Sequence, residues 1–229
     1  MKILSIEAAC PPGSIAIATE TDSIELVASA PIPHERRTTE TFASIIAQLL
    51  KQADWAPSAV DRVVTTNGPG SFTGLRIGVT AAKVFAYATH ATTFTLNTLE
   101  LIARQVPDDY RGDIESVLYA QRGQVFAARF TKGEQLRLTT PTEILSIDRW
   151  IDERTLGALL TGPGLKRIEH SKLRQDTMLA DEQLWMPSAE TLALVPEAEL
   201  QRTNTMDLVP SYFRKSAAEE KADAAAKSN

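Results

Sequence analysis

The chain has 229 residues, of which 43% are hydrophobic and 23% are charged, and this balance excludes a wholly disordered protein. Its 24 Lys and Arg residues against 29 Asp and Glu residues give a net charge of −5, which argues against a mainly electrostatic grip on nucleic acid but allows a local basic patch. Because Cys10 is the sole cysteine and no apolar run reaches the length of a membrane span, we expect a cytoplasmic protein without disulfides.

The first hundred residues alternate strand-like and helix-like segments. Apolar or alternating stretches at 3–6, 14–19 and 24–30 predict three strands in an antiparallel meander. The rest of this half is predicted, in chain order, as a helix capped by Thr38 or Thr39 and ending near 53, a strand at 60–66, a helix at 72–87, a strand at 93–96 and a helix from Asn97 or Thr98 to 106.

A polar loop at 107–113 predicts a boundary between two units. Beyond it, strands are expected at 116–120, 125–131 and 157–161, and a helix at 141–151. The sequence therefore predicts an N-terminal lobe over 1–106, a C-terminal α/β lobe over 107–215, and a polar, Ala-rich tail over 216–229.

The most informative segment is NGPGSFTGLRIG at residues 67–78. Glycines allow close approach of the backbone, Ser71 or Thr73 is placed to cap the following helix, and N–H groups at a helix start bind phosphate. The candidate phosphate or nucleotide loop therefore consists of Gly68, Gly70, Ser71 and Thr73. The spacing matches neither the dinucleotide fingerprint nor the P-loop nor a nucleophile elbow, so a purely structural turn remains the alternative.

Small residues recur every four positions along one face of the helix that follows, at Gly74, Gly78, Ala82 and Ala86. A glycine inside a helix costs about 1 kcal/mol relative to alanine, so a closely packed backbone is expected against this stripe. That backbone belongs either to the chain's own sheet or to another subunit. The predicted partner interface takes the second alternative and comprises the stripe with Arg76, Phe42 and Ile46.

Residues 68–78 closely resemble the signature of the TsaB family, also called YeaZ. The resemblance extends over almost the whole chain, through the opening strand at 2–7, the GQVF turn at 123–126, the GPG turn at 162–164 and PSYFR at 210–214. The chain departs from the family at Glu7 and Ala8, where Asp-Thr is frequent, and at residues 119–121, where Asp-Ala-Arg is frequent.

The resemblance implies a two-lobed α/β fold of the ASKHA class, which is actin-like and ribonuclease-H-like, with mixed sheets. It also implies a non-catalytic scaffold subunit that dimerises through its N-terminal lobe with a TsaD-like paralogue, or with itself when alone. With a TsaE-like ATPase, that complex transfers threonylcarbamoyl from threonylcarbamoyl-AMP to N6 of the adenosine beside the anticodon of ANN-reading tRNAs. No cofactor is implied for the isolated chain, and Mg-ATP or ADP would be a ligand of the assembled complex.

The residue types agree with a subunit that has no catalytic or metal site of its own. TsaD-like proteins use an H-x-x-x-H metal pair, whereas His34, His90 and His170 are far apart in this sequence. We therefore expect no catalytic residue and no metal ligand. The tRNA is expected to be bound through the complex, and weak candidates for direct contact with it are Lys166, Arg167, Lys172, Arg174 and Arg202.

Two other functions stay open. An independent ASKHA-type ATPase or small-molecule kinase would use Glu7 in a first phosphate loop and residues 67–71 as a second, and turnover of Mg-ATP would reveal it. A peptidase would depend on residues 34–38, HERRT, which resemble H-E-x-x-H but carry Thr38 in place of the second zinc ligand.

Overall fold

A computed structural model of the chain describes residues 1–33, 38–169, 172–173 and 177–213. These residues form two β-sheets with helices on their faces, which confirms the predicted α/β class with mixed sheets. The strands are β1 (Lys2–Glu7), β2 (Ser14–Glu20), β3 (Ile24–Pro31), β4 (Arg62–Gly68), β5 (Thr92–Asn97), β6 (Gly112–Tyr119), β7 (Gln124–Lys132), β8 (Leu136–Ser146), β9 (Leu159–Thr161), β10 (Met178–Leu179) and β11 (Gln201–Thr203). The α-helices are α1 (Thr39–Gln52), α2 (Phe72–Thr89), α3 (Thr98–Arg104), α4 (Ile147–Glu153) and α5 (Ala189–Ala193).

The first sheet has the strand order β11-β5-β4-β1-β2-β3. Strands β1, β2 and β3 pair antiparallel, as the predicted meander requires. Strands β1, β4 and β5 pair in parallel, and parallel neighbours need a crossover connection, which α2 supplies between β4 and β5. This order places the β1–β2 loop beside the β4–α2 loop at the carboxyl ends of two adjacent parallel strands.

Helices cover both faces of the first sheet. On one face, α1 and α2 pack over a core of aliphatic residues from β1, β2 and β4. The predicted caps are confirmed: Thr38 Oγ1 accepts a hydrogen bond from the Thr41 N–H at 3.3 Å, and Ser71 Oγ accepts one from the Gly74 N–H at 3.2 Å. At the start of α3, Asn97 Oδ1 accepts one from the Leu99 N–H at 2.8 Å. On the other face lie α3 and α5, with Leu101 and Leu192 fully buried.

The second sheet has the strand order β10-β9-β6-β7-β8, with β6, β7 and β8 antiparallel and β6, β9 and β10 parallel. One face packs against α3, whose Leu99 and Ile102 are buried with Ile114 and Phe130 of the sheet. The opposite face packs around Trp150 of α4. Helix α3 thus contributes to the cores of both sheets and holds them together.

Two segments differ from the sequence expectation. The predicted helix at 141–151 is wrong over its first half, because residues 141–146 continue β8 and pair with β7, and α4 begins only after Ser146 caps it. Pro141 is tolerated there because β8 is an edge strand. In addition, α5 and β11 return from the late part of the chain to the first sheet, where β11 pairs antiparallel with β5. The predicted tail at 216–229 lies outside the described residues, and within them no helix is long and apolar enough to span a bilayer.

Candidate functional site

A cleft of about 950 Å³ opens between the two sheets. Its first wall consists of the β1–β2 loop and the β4–α2 loop, and its second wall consists of the β6–β7 turn with Pro163 and Arg167. Residues 211–213, which we call the C-terminal strap, close one side. A cleft of this size lies at the upper end of the range of ligand sites in proteins.

The β1–β2 loop is held by its own acidic residue. Glu7 is fully buried at the end of β1, and its Oε1 accepts hydrogen bonds from the backbone N–H groups of Ala9 at 2.7 Å and of Cys10 at 3.3 Å. An anion bound in this loop would need the same N–H groups. The carboxylate of Glu7 thus occupies, from within the chain, the donors that a phosphate would otherwise use.

The β4–α2 loop packs directly on the β1–β2 loop. The Ser71 N–H donates to the Ala9 carbonyl at 2.7 Å, and a Cβ added at Gly70 would lie 2.6 Å from that same oxygen. Gly70 is therefore required for the close approach of the two loops. Of the candidate phosphate loop, Gly70, Ser71 and Thr73 line the cleft, whereas Gly68 lies under the strap, where an added Cβ would meet the Ser211 carbonyl at 2.7 Å.

The strap connects the two sides of the cleft. The Ser211 N–H donates to the Asn67 carbonyl at 2.7 Å, which fixes the strap to the end of β4. The Phe213 ring meets Phe126 of β7 edge to face, with 6.2 Å between ring centroids. In the sequence, this segment is distinguished only by its likeness to the TsaB family, which does not place it at the site. Its PSYF sequence, with two aromatic residues, is the signal that was available.

Arg76 lies at the rim of the cleft. Its Nε donates to the hydroxyl of Tyr212 at 2.9 Å, and its guanidinium lies 4.1 Å from the centroid of the Phe72 ring. Phe72 and Tyr212 are themselves in contact, with 5.0 Å between centroids. The arginine that the sequence placed in a partner interface therefore joins the start of α2 to the strap.

The small-residue stripe of α2 faces the chain's own sheet. Gly78, Ala82 and Ala86 are buried, and a Cβ added at Gly78 would lie 2.8 Å from the Cβ of Ala8. The structure thus shows the first of the two packings that the sequence left open. Gly74 is buried as well. A partner would have to approach α2 from the side turned away from the sheet.

The predicted interface residues of α1 also face the chain's own core, because Phe42 and Ile46 are buried beneath the helix. The exposed sides of α1 and α2 carry a different set of residues, which we call the helix-pair face. Its members are Ala43, Ala47, Thr80, Val84 and Tyr87. Val84 and Tyr87 are 61% and 69% exposed, so this face presents apolar side chains to solvent.

The remaining predicted polar residues are dispersed. His90 ends α2 in the left-handed conformation, while His34, His170 and Arg174 lie outside the described residues. Lys166 and Lys172 pair with Glu182 and Asp148, and Arg202 lies on β11. Among the described residues, no cluster of His, Cys, Asp and Glu has the composition of a metal site.

A second buried carboxylate, Glu115, belongs to the core of the second sheet. It accepts hydrogen bonds from Trp150 Nε1 at 2.6 Å and from the Thr155 N–H at 3.2 Å, and its Oε2 lies 3.5 Å from Arg129 Nε. Burial raises the pKa of the Glu115 carboxyl above its usual value, and the charge of Arg129 only partly opposes this. Glu115 faces α4 rather than the cleft, so we assign it a structural role.

Comparison with known proteins identifies relatives across most of the chain. The model of the family described as TsaD, tRNA N6-adenosine threonylcarbamoyltransferase, matches residues 30–222. The chain is 28% identical over 185 residues to the tRNA threonylcarbamoyladenosine biosynthesis protein TsaB of Bacillus subtilis, covering 77% of this chain and 79% of that protein. It is 24% identical to TsaB of Buchnera aphidicola over 214 residues, with 93% and 89% coverage.

The fold is similar to that of YeaZ from Pseudomonas aeruginosa, with a TM-score of 0.73 at 18% identity, covering 93% of this chain and 99% of that one. This likeness, together with the two mixed sheets, confirms the predicted two-lobed ASKHA-type fold.

Proposed function

The chain belongs to the family described as TsaD, tRNA N6-adenosine threonylcarbamoyltransferase, and within it to the TsaB (YeaZ) group, and on this premise we propose that it is a scaffold subunit in threonylcarbamoyladenosine synthesis on tRNA. In this proposal it pairs with a TsaD-like paralogue and works with a TsaE-like ATPase. The complex then modifies N6 of the adenosine beside the anticodon of ANN-reading tRNAs, and this chain contributes no catalytic group.

The observation that carries the scaffold proposal is the helix-pair face. Helices α1 and α2 lie side by side on the first sheet and present small side chains at Ala43, Ala47 and Thr80 beside the larger Val84 and Tyr87. Small side chains allow the helices of another protein to approach closely, and exposed apolar or aromatic side chains supply the anchors of an interface. A second pair of helices would bury this face, either from a TsaD-like partner or from a second copy of this chain.

The closed first loop supports a role without nucleotide chemistry. Because Glu7 accepts from the Ala9 and Cys10 N–H groups, a nucleotide phosphate would have to displace the buried carboxyl group of Glu7 from these hydrogen bonds. We therefore expect the isolated chain to give no binding heat with Mg-ATP. Saturable binding with turnover would instead favour the ATPase or kinase alternative.

Affinity purification of the tagged chain from its own cells tests the proposed role. We expect mass spectrometry to identify a TsaD-like protein and a TsaE-like ATPase among the co-purifying proteins, with the TsaD-like protein in near-equal amount. Recovery of the chain alone, or with unrelated enzymes, would contradict the scaffold function.

A further inference from the structure

The charges around the cleft are all of one sign among the described residues that line it. Of the residues that the structure describes, three arginines line it, Arg76, Arg122 and Arg167, and no aspartate or glutamate does so. The chain as a whole carries a net charge of −5, so this one-signed lining is a local feature and does not follow from the composition. Such a cleft concentrates anions because low-dielectric walls focus the field of its charges.

Two of these arginines, Arg76 and Arg167, are held differently from the arginines that pair with carboxylates. Arg62 and Arg104 pair with glutamates, as does Arg129. By contrast, Arg76 stacks on Phe72 and Arg167 lies 5.7 Å from the centroid of Tyr119, and neither forms an ion pair with a carboxylate in the described part of the chain. A guanidinium that rests on an aromatic ring can still offer edge donors to an anion such as phosphate, and the hydrogen bond of Arg76 to Tyr212 uses only its Nε.

Exposed aromatic side chains are also concentrated here. Phe72, Tyr119, Tyr212 and Phe213 are 37% to 46% exposed and all line the cleft. Tyr87 is the only other aromatic residue that is exposed to this degree in the described ranges. Leaving apolar rings in water is unfavourable, and rings beside cationic groups are what proteins use to stack the bases of single-stranded nucleic acids.

We propose that this cleft binds a single-stranded RNA segment, with phosphates on Arg76 and Arg167 and unpaired bases stacked on Tyr119 and Tyr212. The proposal rests on the proposed role in tRNA modification for the class of partner, while the ligand chemistry follows from the cleft itself. A volume of about 950 Å³ exceeds what one nucleotide fills. Because Glu7 already accepts from the N–H groups of the β1–β2 loop, the arginines are the charged donors that the lining offers to phosphate. The lining offers no carboxylate, within the described residues, to hold the magnesium of a nucleoside triphosphate.

The test is fluorescence anisotropy with the full chain and a labelled single-stranded oligoribonucleotide of about eight nucleotides. We expect saturable binding that weakens about tenfold in Tyr119→Ala and in Arg167→Gln, two exposed positions whose replacement leaves the core intact. The matched control is Arg137→Gln, an exposed arginine on β8 away from the cleft, which should bind like the parent protein. The salt dependence of Arg167→Gln should be shallower by about 0.7 in log–log slope, the value for one lost phosphate contact.

Three competitors separate this ligand from others. An abasic oligomer of equal length should bind at least about tenfold more weakly, since it has no bases to stack. Equal binding of the abasic oligomer, equal competition by polyglutamate, or displacement by AMP at matched phosphate concentration would each overturn the proposal, as would no binding at all. Because the isolated chain is used, failure here is distinct from failure of the scaffold function, which is measured by complex formation.

Discussion

The hydroxyl of Tyr212 accepts a hydrogen bond from Arg76 Nε at 2.9 Å, joining two residues that are 136 positions apart in the sequence. Through this contact the end of the described chain is attached to the start of α2, and through Phe213 the same strap reaches β7 of the second sheet. The strap is therefore a connection between the lobes that adds to the shared core around α3.

Removing this hydrogen bond should lower the stability of the chain by a small but measurable amount. Tyr212→Phe keeps the ring against Phe72 but loses the hydroxyl, and we expect the free energy of unfolding to fall by about 0.5–1 kcal/mol in urea titrations. Tyr87→Phe is the matched control, since the Tyr87 hydroxyl makes no hydrogen bond among the described residues. Equal effects of the two substitutions would mean that the Arg76 contact contributes nothing to stability.

Gly78 provides a test of the packing between α2 and β1. Gly78→Ala gains about 1 kcal/mol in helix propensity but forces a methyl group against Ala8, and overpacking of this kind costs about 1–3 kcal/mol. We expect a net loss of about 1 kcal/mol in the isolated chain. Thr80→Ala, at an exposed position of the same helix, should change stability by no more than about 0.5 kcal/mol. A Gly78→Ala variant that is more stable than the parent would contradict the close contact with β1.

The hydrogen bonds of Glu7 predict a difference between two substitutions. Glu7→Ala leaves the buried Ala9 and Cys10 N–H groups without this acceptor, so unfolding should become easier by about 1–3 kcal/mol. Glu7→Gln keeps an amide oxygen in place as an acceptor and should lose clearly less stability than Glu7→Ala. An equal loss of stability in both variants, measured by thermal or urea unfolding, would show that the hydrogen bonds accepted by the Glu7 side chain do not hold the loop.

Glu115 predicts a pH dependence. Its pKa in the folded chain is raised above the usual 4.5, so folding favours its protonated form. The corresponding stability is fully present below the unfolded pKa and is lost as pH rises through the higher folded pKa. The free energy of unfolding of the parent chain minus that of Glu115→Gln should therefore fall as pH rises above about 4.5. A difference that rises with pH, or that stays constant, would show that the folded pKa is not raised.

Periodicity in the sequence was sufficient to predict most elements but not their neighbours. The spacing of Phe42 and Ile46 predicts α1 because a helix that covers a sheet must be apolar on one face, and the structure confirms the helix. The same spacing cannot tell whether a stripe such as that of Gly78 meets the chain's own sheet or a partner. The packing of α2 on the first sheet decides this, and that packing depends on strands from distant positions in the sequence.

The cleft was only partly predictable for a similar reason. Gly70 and Ser71 stood out because glycine and a capping serine have local roles that the sequence displays. Tyr119 and Tyr212 did not, since an aromatic residue near a turn has no local signature of function. Their place on one cleft follows from the β6–β7 hairpin and from the return of the chain after β11.

The most direct test of the central claim is complex formation by a helix-pair face variant. Val84→Glu, at a position 61% exposed, should fold normally but should weaken binding to the proposed TsaD-like partner by at least about tenfold, since it would place a charge in the proposed desolvated interface. Leu138→Glu, at a position 57% exposed on β8, is the matched control and should bind like the parent chain. Titration calorimetry that shows unchanged affinity for Val84→Glu, or equal loss in both variants, would contradict the assignment of this face as the scaffold interface.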